Sequence, residues 1–156
     1  MSCTFAVENG AENFAEIEPL YRTHYGEMQA RMASQGIAVA DFDMRLDVYM
    51  DYWRAGYLVN YVARKDGKPV GYCNIYITDD MHNGERIAEE DAIYVLPGHR
   101  NGTGRLLAKF VLGDLKARGV KRLKVAAVTD PRAALLWQRL GFRPSGQLMT
   151  YTFEKD

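Results

Sequence analysis

Residues 88–104, AEEDAIYVLPGHRNGTG, hold the side chains of this chain best suited to chemistry on a charged small molecule. They open with three consecutive acids, Glu89, Glu90 and Asp91, pass through β-branched and aromatic Ile93, Tyr94 and Val95, and break at Leu96-Pro97-Gly98. A basic loop with two glycines follows, His99-Arg100-Asn101-Gly102-Thr103-Gly104, and Arg105 leads into an amphipathic helix. A strand, a glycine loop and a helix in that order make an anion site. Backbone N–H groups around Gly102 and Gly104 can approach a phosphate with no side chain in the way, and the helix adds its free N-terminal donors and its dipole. Arg100 and Arg105 supply counter-charge. On an ideal strand Glu89, Asp91, Ile93 and Val95 share one face, and Glu90, Ala92 and Tyr94 share the other.

Two common nucleotide loops are excluded. The Walker pattern needs Gly-Lys-Ser/Thr, whereas Gly104 is followed by Arg105 and Leu106. The dinucleotide fingerprint needs a third glycine where Leu107 stands, and an acid closing the next strand, where Asp130 reads instead as a helix cap.

The elements that must position this stretch follow from periodicity. A short strand over residues 3–7 ends at Asn9-Gly10. Phe14, Ile17, Tyr21, His24, Tyr25 and Met28 then recur at helical spacing. Pro19 interrupts them, either opening a second helical piece or kinking a single helix. After a loop around Gly36, Asp41 or Asp43 can cap a second helix with the stripe Leu46, Tyr49, Met50 and Trp53. Strands over 58–64 and 70–78 are joined by a hairpin turn at Asp66-Gly67. The strand 87–95 enters the glycine loop, and the next helix buries Leu106, Leu107, Phe110, Val111 and Leu115 before Gly119 stops it. Residues 123–128 are an almost wholly apolar strand, Asp130-Pro131 starts a short helix that closes at Gly141-Phe142, and 147–153 make a last strand.

Two segments carry a resemblance. His99-Arg100-Asn101-Gly102-Thr103-Gly104 resembles the pyrophosphate loop of the GNAT N-acetyltransferases, Gln/Arg-x-x-Gly-x-Gly/Ala, with Ile93-Tyr94-Val95 as the strand before it. Residues 130–142, from Asp130-Pro131-Arg132-Ala133 to Gly141-Phe142, resemble the family's second signature helix. Within the superfamily the loop 97–104, His24-Tyr25 and residues 79–85 look most like a branch encoded by bacteriophages and prophages. The resemblance implies one α/β (layered α+β) domain over 1–156: a mixed, mostly antiparallel sheet with helices on both faces, in the order β-α-α-β-β-β-α-β-α-β.

It also implies a chemistry: direct transfer of an acetyl group from acetyl-CoA to a primary amine. The cofactor would lie where the strand ending at Val95 splays from the next, held by backbone at Ile93, Tyr94 and Val95, by His99 to Gly104 and Arg105, and by Asp130 and Trp137. An ammonium near pKa 10.4 must lose its proton before it attacks, so a carboxylate base is required. Glu89 matches the family position, with Asp91 or Glu90 as substitutes; their plainer role is to pair with Arg86. The family's usual general acid is a tyrosine where this chain has Trp137, which cannot protonate a thiolate. Tyr94, Tyr72, Tyr151 or water would stand in. Trp137, and Asp130 in place of the usual Asn, also motivate a rival reading, a catalytically silent GNAT-fold module that binds CoA or a protein.

Composition sets the outer limits. At 156 residues the chain makes one domain with a full core. Lys+Arg and Asp+Glu both number 20, so the net charge of +0 draws it to neither nucleic acid nor membrane. Two cysteines, Cys3 and Cys73, make no disulfide framework, and without a leader or long apolar run the expectation is cytoplasmic, in the host cytoplasm if phage-encoded. Cys73 reads as core, and His24 and His82 are too isolated for a zinc site, so no metal is expected. The partners expected are acetyl-CoA, an amine acceptor that is a small molecule or a protein lysine or N-terminus, and a second copy in a homodimer. Aromatic and sulfur-containing side chains in the first half, from Tyr21 to Trp53, read mostly as core, and the resemblance implies that some of them wall the acceptor pocket.

Overall fold

The structure, a computed structural model, describes residues 2–126 and 130–154. Five strands form one sheet in the order β1-β2-β3-β4-β5: β1 (Thr4–Glu8), β2 (Leu58–Lys65), β3 (Lys68–Asp79), β4 (Arg86–Val95) and β5 (Arg122–Lys124). The first four are antiparallel neighbours, and β5 runs parallel to β4. Helices α1 (Gly10–Ser34) and α2 (Leu46–Ala55) cover one face, α3 (Thr103–Ala117) covers the other, and α4 (Pro131–Arg139) follows β5. This is the expected α/β arrangement. β2 shows how the sheet divides its side chains: Val59 and Tyr61 join the α3-side core, while Leu58 and Val62 join the core under α1 and α2.

Local chemistry sets most boundaries. Asn9 caps α1 by accepting from the Ala11 amide at 3.0 Å, and the helix then runs unbroken through Pro19 to Ser34. Of the two possibilities left by Pro19, one helix is formed, its lost ladder bond offset by burial of Ile17, Leu20 and Tyr21. Gly10 lies directly beneath the Trp53 indole, where a Cβ would come within 2.3 Å of the ring. Asp66 and Gly67 both adopt positive φ, the backbone of a tight hairpin turn.

Three expectations change. Neither Asp41 nor Asp43 caps α2, which starts at Leu46 with no side-chain cap. Instead the segment 37–45 is stitched to α1: Tyr25 donates to Ala40 O at 2.6 Å, and Gln29 donates to Val39 O at 3.2 Å and to Asp41 at 3.0 Å. Leu106 is 53% exposed, because it sits in the first turn of α3 beside the glycine loop and not on the core stripe. Finally, residues 147–153 form no strand; Leu148, Met149, Tyr151 and Phe153 are all at least 65% exposed. Alternation makes a strand only where a neighbour offers a ladder, and β5 extends for just three described residues. Of the apolar strand expected over 123–128, residues 127–129 lie outside the described residues.

Candidate active site

The pairing of β4 slips by one residue at the acids. Asn74 faces Ala92 but Ile75 faces Glu90, so Asp91 is an extra residue, a β-bulge. The bulge overturns the simple alternation. Glu89, opposite Tyr76, and Asp91, bonded to Tyr49 and Tyr76, lie toward α2, while Ile93 and Val95 pack into the α3-side core. The ideal-strand face that put Glu89, Asp91, Ile93 and Val95 together therefore does not exist.

The three acids consequently have three environments. Glu89 is exposed and stands opposite Lys124 of β5. Glu90 is largely enclosed, with Oε2 buried and without a hydrogen-bond partner among the described residues. Burial pushes its carboxyl up to about 7; amide hydrogen bonds from Ala126 and Ile93 oppose the rise and the neighbouring Asp91 charge adds to it. Asp91 is open to a cavity yet surrounded by protein, so burial raises its carboxyl, against hydrogen bonds donated by Tyr76 at 3.1 Å and Tyr49 at 3.2 Å.

That cavity has a volume of about 810 Å³ and is bounded by α1, the segment 40–45, α2 and β4. Aromatic rings of Tyr21, Tyr25, Phe42, Tyr49 and Tyr72 make its walls. Its ionisable lining is mostly acidic: Asp41, Asp43, Glu90, Asp91 and Asp130 against Arg31 and Arg45. Arg45 is bridged to Asp47 at 3.0 Å and Arg31 lies 4.0 Å from Asp130, so the acids dominate the field inside. His24 brings no charge near neutral pH. Burial above all, with the Arg31 charge behind it, lowers its ring to about 4.

β4 pairs with β5 over Ile87 to Glu89, opposite Arg122 to Lys124, and residues 127–129, which would carry β5 further, lie outside the described residues. Beyond that pairing β4 runs on through Ala92 to Val95 into the glycine loop. Gly102 adopts φ 93 as N-cap of α3, with nothing within 4 Å of where a Cβ would stand. The first intrahelical bond is Leu106 N–H to Gly102 O at 3.2 Å, so the amides of Thr103, Gly104 and Arg105 precede the ladder. A diphosphate fits this cradle, which offers amides ahead of the helical ladder with no Cβ at its mouth.

The sequence profile of the acetyltransferase (GNAT) family matches residues 9–142. The chain belongs to the GNAT acetyltransferase family. Solved structures place the same fold around relatives of low identity. An aminoglycoside acetyltransferase from an uncultured soil metagenomic sample, in complex with sisomicin, superposes with a TM-score of 0.73 at 14% identity, covering 99% of this chain and 96% of that one. A ribosomal-protein-alanine N-acetyltransferase from Brucella melitensis biovar Abortus 2308 gives 0.71 at 18% identity, covering 98% and 100%. The BH1408 protein of Bacillus halodurans, in a tetramutant form, gives 0.78 at 15%, covering 96% and 99%. Curated protein sequences offer no match to the chain.

Within this GNAT chain the expected cofactor residues divide. Ile93, Tyr94, Val95, Asn101, Gly102, Gly104 and Arg105 lie along the end of β4, the loop and the first turn of α3, with Asn101 and Arg105 exposed. His99 ends the 3-10 turn Pro97–His99. Thr103 turns inward, with its hydroxyl 3.8 Å from the Cys3 thiol. Arg100 folds back: its Nε donates to Val95 O at 2.8 Å and its Nη2 to Glu27 at 3.3 Å, while its guanidinium lies 5.4 Å from the Tyr94 ring centre. Asp130 caps α4 through the Arg132 amide at 3.0 Å and lines the acidic cavity. Trp137 is 2% exposed and packs against Phe142, with its indole N–H buried and unpartnered among the described residues.

The candidate acids also separate. Tyr72 is bonded to His24 Nδ1 at 2.6 Å, Tyr94 donates to Glu27 at 3.2 Å, and Tyr151 is 79% exposed on the terminal segment. Cys73 is fully buried, which raises its thiol well above the ordinary value, and no nucleophile is made of it. Sequence reasoning missed Tyr76 and Glu27. Only the strand period could have flagged Tyr76, and α1 offered no signal for Glu27. Among the described residues no helix is long and apolar enough to cross a membrane, and no cluster of three or more His, Cys, Asp or Glu is placed to hold a metal.

Proposed function

We propose that the protein transfers an acetyl group from acetyl-CoA directly to a primary amine of a small, cationic acceptor. The observation that carries this reading is the acidic, aromatic-walled cavity with Asp91 facing it, lined on one side by Glu90 to Ile93 of β4. Carboxylates and π faces attract an ammonium ion, and a cavity of this size suits a small molecule better than a folded protein surface. The aminoglycoside complex among the structural neighbours is in keeping with a cationic acceptor.

Asp91 is the base that takes the ammonium proton. Tyr49 and Tyr76 hold its carboxylate facing the cavity, and its raised carboxyl strengthens it as a base near neutral pH. Glu90, titrating near 7 on the side of Ala126, is the second proton store. Acetyl-CoA supplies the activated acyl group. The amides at the start of α3, with Arg105, would hold its diphosphate, and the backbone of β4 its arm. Arg100 serves as a strut between α1 and β4, Trp137 packs and Asp130 caps α4, and the rival reading as a catalytically silent module is decided by the thiol-release test below. The narrower likeness to phage- and prophage-encoded members rests on the sequence segments alone, and location in the cytoplasm and pairing as a homodimer belong to the same reading.

The test is thiol release from acetyl-CoA against matched monoamines, diamines, aminoglycosides and peptides with free N-termini. Diamines and aminoglycosides should be turned over and peptides should not; turnover of peptides alone would overturn the acceptor class, and no thiol release with any amine would overturn the activity.

A further inference from the structure

The α1 wall of the cavity carries a hydroxyl whose hydrogen bonding is dictated by a row of buried amides. Glu8, at the end of β1, is clasped by Arg64 through two contacts of 2.8 Å, which hold its carboxyl below the usual range, and a carboxylate can only accept hydrogen bonds. The Asn13 amide nitrogen stands 3.0 Å from Glu8 Oε1, so the NH2 end of Asn13 faces that way. The same NH2 donates to Asn60 Oδ1 at 2.9 Å, which turns the Asn60 NH2 toward Asn74 Oδ1 at 2.8 Å. The NH2 groups of Asn60 and Asn74 then both lie 3.4 Å from the Tyr21 hydroxyl oxygen. One ionised carboxylate at the edge of the sheet thus sets the direction of every bond in the row.

At the inner end the consequence is chemical. The phenol oxygen of Tyr21 accepts from two amides, which uses both lone pairs, and no group among the described residues accepts its proton. Tyr21 and Asn74 both line the cavity that Asp91 faces. Tyr21 therefore offers the cavity a hydrogen-bond donor and nothing else. Burial, opposed by the two amides, pushes the phenol up to about 12, so the donor stays protonated wherever the enzyme works.

We infer that Tyr21 is a catalytic hydrogen-bond donor to the negative charge that develops on the reacting thioester. This rests on the transferase reading above. The reacting nitrogen has no use for such a donor: as an ammonium it repels one, and as a neutral amine it needs its lone pair for attack. Asp91 first passes the ammonium proton on to solvent; during transfer the neutral nitrogen bonds to the acetyl carbon, and the second proton it sheds passes to the again ionised Asp91 carboxylate. Charge appears first on the carbonyl oxygen. The C–S bond then breaks with its electron pair on sulfur, and the proton taken from the amine neutralises the thiolate, directly or through water. Tyr21 exchanges no proton, and its bond strengthens as charge builds.

Tyr21→Phe keeps the ring packing against Tyr72 and Trp53. It should lower kcat about a hundredfold, as loss of one such donor does elsewhere, with the KM of the acceptor and the affinity for acetyl-CoA unchanged. A 3,5-difluorotyrosine at position 21 preserves the shape and the amide bonds but ionises at lower pH. It should introduce an alkaline loss of kcat where the wild type is flat, and it decides the matter if the Phe variant does not fold. An unchanged kcat in Tyr21→Phe, a rise confined to the acceptor KM, or no new alkaline limb would each overturn the inference while the wild type remained an active transferase. A wild type that releases no thiol with any amine would remove the transferase reading itself.

Discussion

Glu90 and Asp91 are chain neighbours with opposite circumstances, and their proton affinities should report it. Folding raises the Glu90 carboxyl from its ordinary value to about 7, so between roughly pH 4.5 and 7 the folded state binds more protons than the unfolded one. The stability this contributes is complete below the unfolded value and is lost as pH rises through 7. Thermal melts should therefore fall between about pH 4.5 and 7, and Glu90→Gln should flatten that fall. Asp91→Asn should leave folding and acetyl-CoA affinity intact yet cut turnover about 10²- to 10⁴-fold, measured by thiol release. Removing either tyrosine hydroxyl, by Tyr49→Phe or Tyr76→Phe, removes a bond that holds the carboxylate ionised, so the acidic limb of the rate profile should move to higher pH. The three adjacent acids were legible in the sequence as chemistry. Which of them faces an acceptor was not, because a bulge reads as ordinary strand until its partner's register is known.

Among the elements, helix entries carry the sharpest expectations. Gly10 touches Trp53 so closely that Gly10→Ala must displace the indole, and thermal unfolding should show a loss of about 1–3 kcal/mol. Gly102 has open space around it but a left-handed backbone, so Gly102→Ala should cost about 1 kcal/mol through φ alone, with a further loss of acetyl-CoA affinity from the disturbed α3 amides. The glycine loop, the hairpin at Asp66-Gly67 and the Asp130 cap were all visible in the sequence, since each is decided by a few adjacent residues. The start of α2 and the terminal segment were misjudged for the converse reason. Bonds from Tyr25 and Gln29 hold the segment 37–45, and a last strand depends on an edge that the chain itself does not reveal.

For the molecule as a whole, a net charge of +0 conceals an uneven field, because Asp41, Asp43, Glu90, Asp91 and Asp130 line the cavity against two arginines, Arg31 and Arg45. Added salt should therefore raise the KM for a diamine steeply and that for a monoamine less, since screening weakens each charge contact the acceptor makes. The single extra residue in β4 has a consequence for the protein's tolerance of change. Sheet strands keep a two-beat phase, and this insertion resets it midway, so the reactive carboxylate sits half a cycle out of step with the apolar residues downstream. Deleting Asp91 would restore the beat, leave Glu90 and Glu89 opposite Ile75 and Tyr76, and give a well-folded protein without its cavity-facing carboxylate.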